Sequence, residues 1–348
     1  MADAVPAAEP RAGGWGLLIA ALVAFLVLPP AFAIIVPMTR GLLLLLPALG
    51  ALMIVGWLAG GSLALAVLWV AVAVVALVVP PSSGLFDTLQ RAWSVLLAGG
   101  FGLVLALDRR RWSFTARGLC ATAMALAAVI GVSLVRLDTP TSASSVLRAE
   151  YAGRVLSRIA AGEAYFASPE WAEQVRQSPG LADFGKTIMA QLQPLPEIAA
   201  DYAAIAPAML ALQSLMALAL AWSVYQRINR TPLGVPLGAL RDYRFSDQLV
   251  WGLVAGLALV LLRDAPVATT VGANLLVFFG GLYALRGLGV LWWFLKPGRA
   301  TAVLLVLATL LAFPVAVPAV VSLALGLGVI DTWLDWRNRA RMTPQSSE

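Results

Sequence analysis

Histidine is absent from the 348 residues, and cysteine occurs once, at Cys120. The first absence excludes histidine-based acid–base catalysis, imidazole-activated nucleophiles and histidine-ligated metals. The second excludes an intramolecular disulfide and a thiolate cluster. Cys120 lies in an apolar run and reads as a small packing residue. Charge is scarce too: Asp, Glu, Lys and Arg make up 12% of the chain, against about a quarter in an ordinary soluble domain. Of the 24 basic residues only Lys186 and Lys296 are lysines, a bias of the kind that high-GC bacterial coding produces.

What the chain has instead is apolar sequence, 61% of all residues, with a mean hydropathy of +0.87. A soluble enzyme, a secreted disulfide scaffold and a disordered protein are all excluded by this balance. The expectation is an all-α, polytopic transmembrane helix bundle in a bacterial cytoplasmic (inner) membrane. The net charge of +6 does not call for nucleic acid, because basic loops are what orient a membrane protein. The expected surroundings are the lipid bilayer, with a small-molecule ligand or a membrane or cytoplasmic protein as further partner, and no cofactor or metal.

A helix needs about 20 apolar residues to cross the hydrocarbon core. On that measure the candidate spans are Trp15–Val36, Gly41–Leu58, Ser62–Val79, Thr88–Leu107 and Thr115–Val135. Pro29 and Pro30 should break or kink the first near its middle. Residues 136–201 then turn polar, and Val146, Leu147, Tyr151, Val155, Leu156 and Ile159 recur there at helical spacing. Ser168-Pro169-Glu170 reads as a helix start. This region is expected to be an extracytoplasmic, amphipathic helical insert lying on the membrane surface. Tyr202–Val224, Leu249–Leu262, Val271–Leu295 and the proline-broken stretch Thr301–Ile330 follow, giving about nine spans. The resulting organisation is a cytoplasmic tail at 1–14, a bundle of about five spans at 15–135, the insert at 136–201, a second bundle at 202–336 and a basic polar tail at 337–348.

Placing the amino terminus in the cytoplasm puts Arg109, Arg110, Arg111, Arg117, Arg227, Arg230, Arg241, Arg244, Lys296 and Arg299 in cytoplasmic loops. The opposite short loops then carry Arg40, Arg91 and Arg263. An odd number of crossings would leave Arg337, Arg339 and Arg341 outside, against the rule. A final segment that folds back returns the tail to the cytoplasm, which is the expectation adopted.

Gly180-Leu-Ala-Asp-Phe-Gly185-Lys186-Thr187 matches the phosphate-loop spacing. It lacks the buried strand before and the helix after that would wrap phosphates, so it reads as a coincidence. Arg286 is more informative, because an arginine inside a span needs a partner or water. Asp331 and Asp335, four residues apart on one helix face, are its candidate partners. Asn274 and Gln213 are uncharged polar groups able to join such a site or to bond between helices. The candidate intramembrane polar site is therefore Arg286, Asn274, Asp331 and Asp335, with no catalytic or cofactor-binding residue. Gly56-x-x-x-Gly60 and Gly252-x-x-x-Gly256 have the spacing of close helix contacts.

The carboxyl-terminal third resembles a known family. Asn274-Leu-Leu, Tyr283-Ala-Leu-Arg286-Gly287-Leu-Gly289-Val290 and Leu325-Gly326-Leu-Gly328-Val-Ile-Asp331-Thr-Trp-Leu-Asp335-Trp-Arg337 look like the YybS-like family of bacterial polytopic membrane proteins, which carry domain of unknown function 2232. The family pattern has an uncharged polar residue near the position of Arg286. Its distant similarity to the substrate-binding subunits of energy-coupling-factor transporters implies a non-enzymatic, transport-related small-molecule binding subunit. Its similarity to the rod-shape protein MreD implies instead a scaffold for cell-envelope or division machinery, without a substrate.

Overall fold

The computed structural model describes residues 14–79, 84–107, 112–135, 140–192, 194–262, 264–296, 298, 301 and 313–336. The expected tails at 1–14 and 337–348 and the basic residues Arg109, Arg110, Arg111, Arg263, Arg299, Arg337, Arg339 and Arg341 lie almost entirely outside them. The described residues form helices and no strand. Contacts divide the chain into two compact units, Met1–Pro236 and Leu237–Glu348.

The first unit contains α1 (Trp15–Ala31), α2 (Gly41–Leu58), α3 (Leu63–Val78), α4 (Leu85–Leu107), α5 (Phe114–Val135), α6 (Pro140–Phe166), α7 (Pro169–Gln177), α8 (Leu181–Leu192) and α9 (Leu195–Ile228). Its axis is α2, which packs on α3, α4 and α9. An apolar surface all round suits a helix enclosed by others, and Leu44, Leu49 and Leu52 are buried with Leu97, Phe101, Trp222 and Tyr225 around them. In α3 only Ala66 and Ala73 are buried, and Leu63, Val67, Leu68, Val74, Val75 and Val78 face outward, the side on which a bilayer accepts apolar groups.

Pro29 and Pro30 do not break α1 at its middle. The helix runs one residue past them and ends at Ala31; neither proline offers an N–H to the carbonyls of Phe25 and Leu26, and the helix stops within a turn of losing those bonds. Two residues assigned to loops by their charge are also placed differently. Arg117 lies in the first turn of α5 and is buried, 5.8 Å from the Trp222 ring centroid. Arg91 lies in α4, where it binds Asp87 at 2.9 Å and the carbonyl of Leu77. Both spend their charge on the fold rather than on a loop.

The insert is held by protein. α6 packs on α9, burying Tyr151 and Val155 against Ala199, Ala203 and Ala206, with Leu147 and Ile159 beside them. Leu156 of the same apolar series stays exposed. α9 begins before the expected end of the insert and passes through residue 202 without interruption. It packs with α2, α5 and α6 in the first unit, so the chain divides at Pro236 rather than at the end of the insert.

The second unit contains α10 (Val250–Leu261), α11 (Pro266–Leu295) and α12 (Phe313–Leu334), with short 3-10 turns at Leu240–Asp242 and Asp247–Leu249. Among the described residues six helices are long and apolar enough to cross a membrane, and Trp15–Pro30, Leu63–Val78 and Asp247–Leu261 are shorter apolar helices. A helix the length of α3, 16 residues, reaches about 24 Å, less than the ~30 Å core. The count of about nine spans thus includes three short ones.

α11 and α12 run in the same direction. Gly287 faces Gly328, Arg286 meets Asp331, and further along both helices Phe294 meets Trp336 at 6.3 Å. Parallel neighbours finish at the same end, so the chain must return between them. Residues 302–312, the first part of the stretch read as one final span, lie outside the described residues. The end that α11 and α12 share is also that of the 237–249 connection, because Leu240 packs on Gly289 and Asp247 on Arg286.

Candidate functional site

Close backbone approach builds the charged site of the second unit. A Cβ on Gly287 would collide with the Ala324 carbonyl, and one on Gly328 would collide with that of Tyr283. Two glycines facing each other let α11 and α12 touch main chain to main chain. Gly289 does the same for the 237–249 connection, whose Leu240 carbonyl occupies the space a side chain would need.

This contact brings Arg286 to the last turn of α12. Its Nε donates to Asp331 Oδ2 at 3.0 Å, and its Nη2 to the Asp331 carbonyl at 3.3 Å. Its Nη1 donates to Asp247 Oδ1 at 2.7 Å. The guanidinium also lies 5.5 Å from the ring centroid of Phe245, which packs edge-on against buried Tyr283. Arg286 and Asp331 are almost fully enclosed, with 4% and 0% of their side chains exposed, whereas Asp247 is 62% exposed. A cation at the carboxyl end of α12 also meets the negative end of the helix dipole.

The expected polar site is brought together only in part. Arg286 and Asp331 pair. Asp335 points elsewhere: it follows α12 with a φ of 42° and pairs with Arg244 at 2.9 Å. The left-handed backbone ends the helix there and turns the side chain off the Arg286 face. Asn274 lies three turns earlier on α11, about 18 Å along the axis, and donates to the Thr270 carbonyl of its own helix at 2.9 Å. The sequence reading missed Asp247, Arg244 and Phe245. Their only signal was a short polar stretch, Arg241 to Gln248, directly before an apolar run.

Gln213 belongs to the first unit, in a second polar cluster around the turn between α1 and α2. Its amide accepts from the Met38 N–H at 3.2 Å and donates to the Met38 carbonyl at 2.6 Å. Gln90 donates to the Pro37 carbonyl at 3.2 Å. Arg154 of α6 donates to the carbonyls of Ala33, Val36 and Pro37 at 3.0, 3.1 and 3.2 Å, and pairs with Glu150 at 3.0 Å. Arg158 adds a bond to the Pro30 carbonyl at 2.9 Å. Non-helical backbone in an apolar protein needs such partners. Beside Arg154, burial pushes the Tyr151 hydroxyl up to about 12 although the guanidinium pulls it down. That hydroxyl finds no hydrogen-bond partner among the described residues.

The glycine spacings serve packing inside the chain. Gly256 meets Gly272 and Gly252 meets Phe279 across α10 and α11. Gly56 makes room for Tyr225 and Asn229. The phosphate-loop match falls mostly on α8: Gly185, Lys186 and Thr187 are helical and the element before them is α7, so the backbone there follows a helix rather than a loop. No group of three His, Cys, Asp or Glu side chains able to hold a metal occurs among the described residues.

No curated protein and no solved structure gives a significant match to the chain, so the distant likeness to energy-coupling-factor subunits and to MreD rests on the sequence resemblance alone. Residues 170–332, the stretch that holds Asp247, Arg286 and Asp331, match the model of the family described as Predicted membrane protein (DUF2232).

Proposed function

We propose that the protein is a non-enzymatic scaffold subunit of a bacterial cytoplasmic membrane, with its amino terminus in the cytoplasm, organising envelope or division machinery without a substrate of its own. The observation that carries this reading is the use of Arg286. Its Nε, Nη1 and Nη2 all donate to groups of the chain itself, and the pairs tie α11, α12 and the 237–249 connection together. Elements tied in this way serve a docking partner better than a site that must open for cargo.

One observation favours a second reading, a transport-related small-molecule binding subunit. Asp247 is the exposed partner of Arg286, so the carboxylate or phosphate of a ligand could take its place on Nη1.

Native mass spectrometry of the protein, extracted gently from its own membrane, separates the two. The scaffold reading expects a stoichiometric envelope protein and no small molecule. It expects the same complex from Arg286→Met/Asp331→Leu, which replaces the ion pair with apolar groups of similar size. A stoichiometric small molecule, lost on Arg286→Ala in protein that still elutes as a folded species, would overturn it in favour of the binding subunit.

A further inference from the structure

α7 and α8 fold back beside the end of α6 and leave between them a groove of about 390 Å³. That is the size of a site for one small molecule. Phe166, Trp171, Val175 and Met189 line it. Gly185 keeps it open, since a Cβ there would stand 3.0 Å from the Trp171 ring and 3.3 Å from that of Phe166. The wall is stiff, because Phe166 and Trp171 meet edge to face with centroids 4.9 Å apart and Tyr165 contacts both at 5.5 Å.

Among the lining residues Lys186 alone is charged. Its ammonium lies 3.3 Å from Asp183, with both side chains about four-fifths exposed. An exposed pair of this kind is worth little, so a second anion can compete for the ammonium at small cost.

We propose that this groove binds a single-chain anionic amphiphile of the fatty-acid class, with the chain along Phe166, Trp171 and Met189 and the carboxylate at Lys186. One narrow apolar groove with one cation matches one chain and one negative charge. The ligand is independent of the scaffold reading, which concerns the other unit.

The test uses the full-length protein in a neutral detergent and dibrominated stearate, whose bromines quench tryptophan. Of the quenching shared by the chain's 12 tryptophans, the component that disappears in Trp171→Phe is expected to saturate at one site per chain. Lys186→Glu, at an exposed position that does not threaten folding, should weaken binding about threefold or more, and the brominated alcohol of the same chain length should bind about two- to fivefold more weakly than the acid. Gly185→Leu should abolish it in protein with unchanged elution and helical content. Quenching that does not saturate, equal binding of the alcohol, or undiminished binding by Lys186→Glu overturns the proposal. So does a Trp171 signal that responds to brominated phosphatidylglycerol in nanodiscs and not to the free acid.

Discussion

Arg286 and Asp331 illustrate what a buried ion pair does and does not contribute. Breaking one from a single side is costly because the remaining charge stays enclosed, about 3–5 kcal/mol, whereas replacing both partners by apolar groups is often neutral. Arg286→Ala should therefore destabilise the second unit by about that amount, and Arg286→Met/Asp331→Leu should restore most of it. Thermal unfolding of the four members of the cycle in one detergent measures the coupling. Tyr151 gives a second prediction at this scale. Its hydroxyl is held protonated by burial, with its pKa raised from 10.0 to about 12. The folded state then holds the proton more tightly than the unfolded one, so stability is intact below pH 10 and falls between pH 10 and about 12. The loss is on the order of 3 kcal/mol. Tyr151→Phe should flatten this decline in a series of melts from neutral to alkaline pH. At neutral pH it should be harmless, since the hydroxyl it removes has no partner among the described residues.

Elements owe their positions to a few small or polar residues. Gly326 and Gly328 sit in one motif for different reasons: nothing lies within 4 Å of a Cβ on Gly326, while one on Gly328 runs into backbone. Gly326→Ala should be neutral or slightly stabilising by its helix propensity, up to about 1 kcal/mol. Gly328→Val should separate α11 from α12 and abolish the folded species on size-exclusion chromatography. The turn between α1 and α2 depends on side chains from α4, α6 and α9. Arg154→Ala removes three charge-assisted bonds and should cost on the order of 3 kcal/mol, with faster amide exchange across Phe32–Arg40 and little change in α11. Much at this scale was legible in the sequence. The bounds of α2 and the polar character of the insert follow from apolar run lengths, and the buried face of α6 follows from the spacing of Leu147, Tyr151, Val155 and Ile159. What joins the elements was not legible. Pairing of Arg154 with carbonyls more than a hundred positions away, or of Arg286 with Asp247, leaves no periodic trace. Asn274 was grouped with Arg286 because both are polar within one span, and the rise of the helix separates them.

For the whole molecule, the parallel course of α11 and α12 answers a problem of charge. A single crossing after α11 would place the arginines beyond residue 336 on the side opposite Arg241 and Arg244. With α12 ending where α11 ends, the chain leaves the second unit on the side of the 237–249 connection. In a Cys120→Ala background, cysteines introduced at Gly238 and at Ser347 should therefore react alike with a membrane-impermeant maleimide, both blocked in intact cells and both labelled after lysis. Opposite labelling would place the tail across the bilayer and refute a returning final segment.

The separation of Arg286 from its buried counter-charge has a further consequence, for biosynthesis. Asp331 follows Arg286 by 45 positions, so a ribosome adding about 5–20 residues per second needs about 2–9 s between the two. Throughout that interval the guanidinium lacks its buried partner. Its final seating must wait for α12, which makes the second unit one that completes only when its last helix is released. Nascent chains arrested before Asp331 should be recognised as unfinished and degraded by membrane proteases, whereas chains arrested after Trp336 should persist.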